Sequence, residues 1–319
     1  MSVMGVITRP MLAATVEVDT FDKIKWPVFA SPKIDGIRCL IHPTLGPVSR
    51  TFKPIANVYV REFLDEYCRG AHVDGELYAI NEDGTANFNA TQSAIMSRGG
   101  RPRFHYSIFD CFDRPDDPFE MRHARALAKA NLMLLSTLFI SGLEHVILRN
   151  AGDLVEYSDE CLARGYEGIV IRDQGGTYKS GRSTLNQGGM LKYKPWADAE
   201  GTIIGFEELM HNDNEQEGDA FGLAKRSSHK DNLTPAGVLG SLVLDTKWGV
   251  LRVGTGFDFA TRKAIWDRNK VGIAAAFGGM VIPNEDAPDA GRKVTFKYQK
   301  HGMQDLPRFP VFKGFREEE

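Results

Sequence analysis

The sequence lacks most of the features that would take it out of the ordinary globular class. Only four cysteines occur among 319 residues, Cys39, Cys68, Cys111 and Cys161, and none forms a C-x-x-C pair. Their spacing argues against a zinc site and a disulfide framework and makes a reducing cytoplasm the expected setting. No apolar run could span a bilayer; the longest, LMLLSTLFI at 132–140, reads as a buried element. The opening MSVMGVITRPML has no basic leader followed by an apolar core, so export is not expected. Internal repeats, low-complexity tracts and coiled-coil heptads are missing too. Charge of one sign is also missing: 39 basic residues face 42 acidic ones, divided 23 to 23 over residues 1–196 and 16 to 19 over 197–319. Binding to nucleic acid through overall charge is thereby excluded, and any such binding has to come from local basic surfaces.

What is there reads as an α+β chain long enough for two domains with substantial cores. Residues 28–42, VFASPKIDGIRCLIH, predict two short strands joined by a hairpin-type turn at Asp35-Gly36, with Lys33 at a strand end. REFLDEYCR places Phe63, Leu64 and Tyr67 at helical spacing, and HVDGELYAI returns to strand composition. NFNATQSAIMSRGG predicts a short helix capped by Asn87 or Asn89. FHYSIFDCF predicts a core strand, residues 118 to 135 a helix, HVILRN a strand, DLVEYSDECLARG a helix and EGIVIRD another strand. A glycine-rich basic loop, QGGTYKSGRSTLNQGG, leads into MLKYKPW. Beyond residue 200, short strands, one helix at 258–269 and many glycines give the texture of a small β-barrel. The polar stretch 210–237 interrupts it and reads as a functional excursion or a disordered loop.

The stretch SPKIDGIR raises the first chemical question. A lysine held at a pocket wall between an apolar strand and a glycine turn can serve as a nucleophile, while the plain reading is a turn with a solvated ammonium. Asp74 and Glu76 of DGE, and Glu167 of EGIVIRD, stand at strand edges where carboxylates could gather around magnesium; a solvent-facing strand end is the alternative for Glu167. Lys192 and Lys194 alternate with Leu191 and Tyr193, so a strand puts both ammonium groups on one face. Their repulsion is tolerable on a wet surface and useful if polyphosphate lies between them. Arg38, Arg50 and Arg182 would add guanidinium donors suited to phosphate. Phe109 is either plain core or a platform for a nucleobase.

Taken in order, KIDGIR, DGELY, YSIFD, EGIVIR, LKYKPW and the terminal PRFPVFKGFR resemble the six motifs of the covalent nucleotidyltransferases. The resemblance is specifically to the minimal ATP-dependent DNA ligases of viruses and bacteriophages, of the chlorella virus type, and it covers essentially the whole chain. It implies a nucleotidyltransferase domain over residues 1–196, built on antiparallel sheets with flanking helices, and an OB-fold over 197–319 with a latch-like DNA-binding insertion at about 210–237.

By the same resemblance Lys33 takes AMP from ATP, Asp35 works near the reacting 3' end, and Lys192 and Lys194 contact phosphate. Ser31, Arg38, Arg50, Glu76, Phe109, Arg182 and Arg308 become nucleotide contacts, with Glu76 and Glu167 on magnesium or manganese. Lys225, Arg226, Lys230, Arg292, Lys293 and Lys297 become DNA contacts. The implied substrate is nicked double-stranded DNA and the implied actor a cytoplasmic monomer with no membrane partner. An mRNA capping guanylyltransferase and an RNA ligase share the lysine motif, and a noncatalytic nick-binding module is the alternative of another class.

Overall fold

The computed structural model describes residues 7–137, 139–214, 216–218, 224–226, 232–270, 273–277, 280–283, 287–300, 303 and 305–316. Two compact units divide the chain at Pro195 and Trp196.

In the first unit, period-two alternation builds two sheets. The five-stranded sheet runs Val146–Leu148, Val28–Pro32, Ile169–Asp173, Met190–Tyr193, Ala14–Thr15, antiparallel except for the last pairing. The main path of the six-stranded sheet is Gly46–Ser49, Ile37–His42, Val73–Ile80, Phe104–Cys111, Ile140–Gly142. One core gathers Leu64, Val73, Leu77, Phe104, Tyr106, Ile108, Ala126 and Ala130. A second gathers Val28, Ala30, Leu154, Ile169, Ile171 and Leu191. Helix starts follow the caps: Asn57 accepts from the Val60 amide ahead of Val58–Cys68, and Asn87, one of the two expected candidates, accepts from Ala90 ahead of Phe88–Met96.

Two expectations are corrected here. The strands Val28–Pro32 and Ile37–His42 exist, but they belong to different sheets and do not form a hairpin. Asp35-Gly36 instead carries the chain from one sheet to the other. Gly36 is needed for closeness: a Cβ there would stand 2.5 Å from the Leu77 carbonyl oxygen. The run LMLLSTLFI is not a buried element, because the helix Phe119–Leu134 ends within it, leaving Leu132 68% and Leu135 85% exposed. Helical spacing faces only some of a continuous apolar run inward, here Ala126 and Ala130 from the turns before it.

In the second unit the long strands Ala197–Asn212 and Leu233–Thr246 pair antiparallel, flanked by Gly249–Val253 on one side and by Lys293–Gln299 and Arg308–Phe315 on the other. The last strand returns to the end of Gly249–Val253: Thr255 bridges Val311, and the Phe312 amide donates to the Thr255 carbonyl at 2.9 Å. Ile203, Phe206, Leu242, Leu244, Val253, Ile265, Val294 and Phe296 form the core. The helix Phe259–Asn269, capped by Asp258, packs on it. The polar stretch 210–237 continues the pairing outward as far as Asn212 opposite Leu233, and Gln216–Gly218 pairs with Ala224–Arg226; residues 215, 219–223 and 227–231 lie outside the described residues. Among the described residues no helix is long and apolar enough to cross a membrane.

Candidate active site

Lys33 is set at the cleft wall by two backbone hydrogen bonds. Just past the strand Val28–Pro32, its amide donates to the Gly168 carbonyl at 2.8 Å, and its own carbonyl accepts from the Glu167 amide at 3.0 Å. Gly168 has φ +140°, and a Cβ there would meet the Tyr193 carbonyl oxygen at 2.2 Å. Only glycine lets these three strand ends converge.

The convergence places Glu167 between two cations. Lys33 Nζ donates to one carboxylate oxygen of Glu167 and Lys194 Nζ to the other. Glu167 is 8% exposed, so it is not a solvent-facing strand end. Burial works against its ionisation, but Lys33 and Lys194 outweigh burial and hold its carboxyl below the usual range. The strand of LKYKPW ends at Tyr193, so Lys194 reaches Glu167 from just beyond it. Lys192 faces the cleft from within the strand, and burial, then Lys194 and Lys33, pull its ammonium pKa down.

Around Lys33 opens a cleft of about 210 Å³ lined by Ser31, Arg38, Arg50, Glu76, Phe109, Arg182 and Lys192 among others. Arg38 forks onto Asp74, Nε at 2.5 Å and a terminal nitrogen at 2.6 Å, and lies 4.6 Å from the Phe109 ring centre. Tyr178 also donates to Asp74 at 2.5 Å. Asp74 was read as half of a metal-binding pair; its oxygens instead orient Arg38, and Glu76 is the carboxylate of that strand lining the cleft. Burial pushes the Glu76 carboxyl up to about 7, against the pull of Lys33 and Arg38. Phe109 is the extra residue of a β-bulge, since Asp74 faces Asp110 while Gly75 faces Ile108. The bulge turns its ring out of the core alternation and onto the cleft.

Beneath the cleft floor lies a charge cluster that motif reading passed over. Asp110 accepts from Arg172 at 2.5 Å and from Arg122 at 3.0 Å, all three buried, and Arg172 stacks 4.0 Å from the Phe119 ring centre. Asp110 and Arg172 end two of the quoted motifs, YSIFD and EGIVIR, which was the available signal; Arg122 sits on a helix with no local sign of its partner.

Asp35 follows Lys33 in the crossing between sheets and is not among the residues lining this cleft. The remaining expected site residues belong to the second unit. Arg308 begins the last strand of the second unit, 5.0 Å from the Phe309 ring centre. Arg292 donates to Asp289 at 2.6 Å and packs 4.3 Å from the Phe315 ring centre, while Lys297 lies 4.8 Å from the Trp196 ring centre and Lys293 is exposed. Lys225 and Arg226 occupy the strand Ala224–Arg226, but their side chains, and Lys230 altogether, lie outside the described residues.

Comparison with known proteins decides what this arrangement belongs to. Residues 10–194 match the family described as ATP dependent DNA ligase domain, and residues 234–316 match the DNA ligase OB-like domain. The chain belongs to the ATP-dependent DNA ligase family. Membership accounts for the mixed α/β architecture of antiparallel sheets followed by an OB-like domain. The crystal structure of chlorella virus DNA ligase-adenylate is similar over 97% of this chain and 100% of its own, at 32% identity and TM-score 0.52. A Lig E DNA ligase shares the fold, with TM-score 0.65 at 22% identity over 98% of this chain and 100% of that one. The DNA ligase of African swine fever virus is 26% identical over 144 residues, which is 43% of this chain and 32% of the viral protein. The match thus spans about a third of the length of that curated relative.

Proposed function

We propose that this chain seals nicks in duplex DNA, joining a 5'-phosphate to a 3'-hydroxyl at the expense of ATP, and that Lys33 carries the AMP between the two. The observation that carries the reading is the Lys33–Glu167–Lys194 cluster beside a cleft that Lys33 lines together with the Phe109 ring, four guanidinium groups and the Glu76 carboxylate. In the first step the Lys33 amine, after losing a proton, attacks the α-phosphorus of ATP. A phosphorus–nitrogen bond forms and pyrophosphate leaves. In the second, a 5'-phosphate oxygen attacks the same phosphorus, the phosphorus–nitrogen bond breaks and the lysine recovers its proton. In the third, the 3'-hydroxyl attacks the 5'-phosphorus and AMP departs.

The chain's residues serve these steps by position and charge. Glu167 holds Lys33 Nζ until phosphate competes for it, and Lys192 and Lys194 accept the charge of the phosphate. Arg38, set by Asp74, and Arg50 and Arg182 are placed as phosphate or ribose donors, Phe109 and Ser31 as base contacts, Arg308 as a contact to the leaving pyrophosphate, and Asp35 as a group near the 3' end. Glu76 and Glu167 are suited to a divalent cation: both are hard oxygen donors, and among the described residues no group of three His, Cys, Asp or Glu would hold a metal by itself. That donor set fits magnesium or manganese completed by phosphate oxygens. Such an ion would neutralise phosphate charge when bound.

The reading assigns residues 1–196 to nucleotidyl transfer and 197–319 to DNA, with 210–237 as a latch and Lys225, Arg226, Lys230, Arg292, Lys293 and Lys297 as phosphate contacts, in a cytoplasmic monomer. Joining of a nicked duplex bearing a 5'-phosphate, with ATP and magnesium, tests it. Sealing by wild type and its loss in Lys33→Ala is the expected result; a folded wild type that seals no nick would contradict it.

A further inference from the structure

At the end of the cleft away from the lysines, one wall is histidine. Ser31, Val170 and Lys192 stand side by side across three strands of the five-stranded sheet. His145, one position before the paired Val146, continues the row opposite Ser31 on the fourth strand. All four line the cleft. Three strand spacings separate the ends of the row, roughly 14 Å, so a nucleotide whose phosphates meet Lys192 extends its base along the row toward His145.

The imidazole is locked from behind. His145 Nδ1 lies 2.9 Å from His123 Nε2, and both nitrogens approach the Leu143 carbonyl oxygen, at 3.1 and 3.0 Å. A carbonyl only accepts, so the tautomer that satisfies the contact between His145 and Leu143 carries its proton on Nδ1. With that proton on His145 Nδ1, the other nitrogen, Nε2, is an acceptor. Burial first, then the neighbouring His123 and Arg172, hold the His145 pKa well below its ordinary value, and burial likewise lowers that of His123. His145 Nε2 has no hydrogen-bond partner among the described residues. A second unfilled polar atom belongs to the same wall: Nε of Arg172 is buried without a partner.

We propose that His145 reads the base edge, its Nε2 accepting a hydrogen bond from the exocyclic amine of adenine, and that His123 acts as a positioning residue that fixes the ring. Guanine presents a carbonyl oxygen instead of the amine and would require the proton at Nε2, at the cost of the Nδ1 hydrogen bond to Leu143. The inference rests on the nucleotide reading of the cleft given above and assigns that cleft a specificity-determining residue.

The test is formation of the Lys33 adduct by the full chain with ATP, with GTP and with purine riboside triphosphate, which lacks the amine. His145→Asn keeps a polar atom near Nδ1, and hence the bond to Leu143, but removes Nε2. The expected result is a rise of about tenfold in the half-saturating ATP concentration, a narrowed preference for ATP over GTP, and a maximal rate within about twofold of wild type. Removing the amine should cost wild type about tenfold and the variant nothing, a cycle that a purely structural role would not produce. His145→Gln, which can offer an oxygen near the Nε2 position, should recover part of the loss. Equal sensitivity of wild type and His145→Asn to loss of the amine overturns the proposal. Absence of any adduct in wild type, with all three nucleotides, would instead remove the ligase reading itself.

Discussion

Glu167 holds two ammonium groups at once, and Asp110 holds two guanidinium groups; the energetic consequences differ because only Asp110 and its partners are wholly buried. Removing the Asp110 charge leaves Arg122 and Arg172 buried and uncompensated, so Asp110→Asn should lower unfolding free energy by about 3 to 5 kcal/mol, read by urea denaturation. Burial resists ionisation of Asp110, but Arg172 and Arg122 outweigh it and hold its pKa below the ordinary 3.8. Below that value the unfolded chain binds the proton more readily than the folded one. This stabilisation is therefore present above about pH 4 and lost as pH falls. Thermal midpoints should drop steeply below about pH 4 in wild type and less steeply in the variant. At this scale Lys33, Glu167 and Lys194 were legible singly as charges at strand ends, but not the pairing of Lys33 with Glu167, which spans 134 residues. Nor were the pairings of Arg122 and His145, whose partners Asp110 and His123 stand 12 and 22 residues away on other elements.

Elements place these residues more tightly than spacing alone suggests. The turn at Asp35-Gly36 looks like a hairpin because Asp-Gly is turn chemistry, yet the hydrogen-bonding edges on either side were claimed by Ile169–Asp173 and Val73–Ile80. The strands themselves were legible; their pairing was a non-local choice. Phe109 was readable only as an aromatic in a strand, since a bulge needs knowledge of the opposite strand. Gly168→Ala tests how much the convergence at Lys33 matters: its Cβ would collide with the Tyr193 carbonyl at 2.2 Å and must push apart the strand ends holding Lys33 and Glu167. A loss of about 2 kcal/mol in stability and at least a roughly tenfold slower adduct formation are expected, measured by denaturation and by single-turnover labelling. Unchanged labelling would show that the lysine does not depend on this junction.

For the whole molecule, the balanced composition leads to the expectation that DNA contact is local; within the second unit Lys313 donates to Asp198 at 2.6 Å, Arg316 pairs with Glu200, and Arg292 with Asp289. The basic residues Lys225, Arg226 and Lys230 of the 210–237 stretch are the proposed grip on phosphate. Asn212 and Leu233 face each other across the ribbon, so residues 213–232 can be replaced by a two-residue turn without disturbing the strands below. That deletion should leave adduct formation with ATP within about twofold and weaken nick binding at least roughly tenfold, with a shallower salt dependence. Equal loss of both activities would end the division of labour between the two halves of the chain. The central claim is that Lys33 itself carries AMP, and it is tested most directly by incubating the protein with ATP labelled at either the α- or the γ-phosphate and locating the label. The account predicts α-label covalently bound to the peptide containing Lys33, no γ-label, and no adduct in Lys33→Ala; α-label on another residue, or undiminished in that variant, would contradict it.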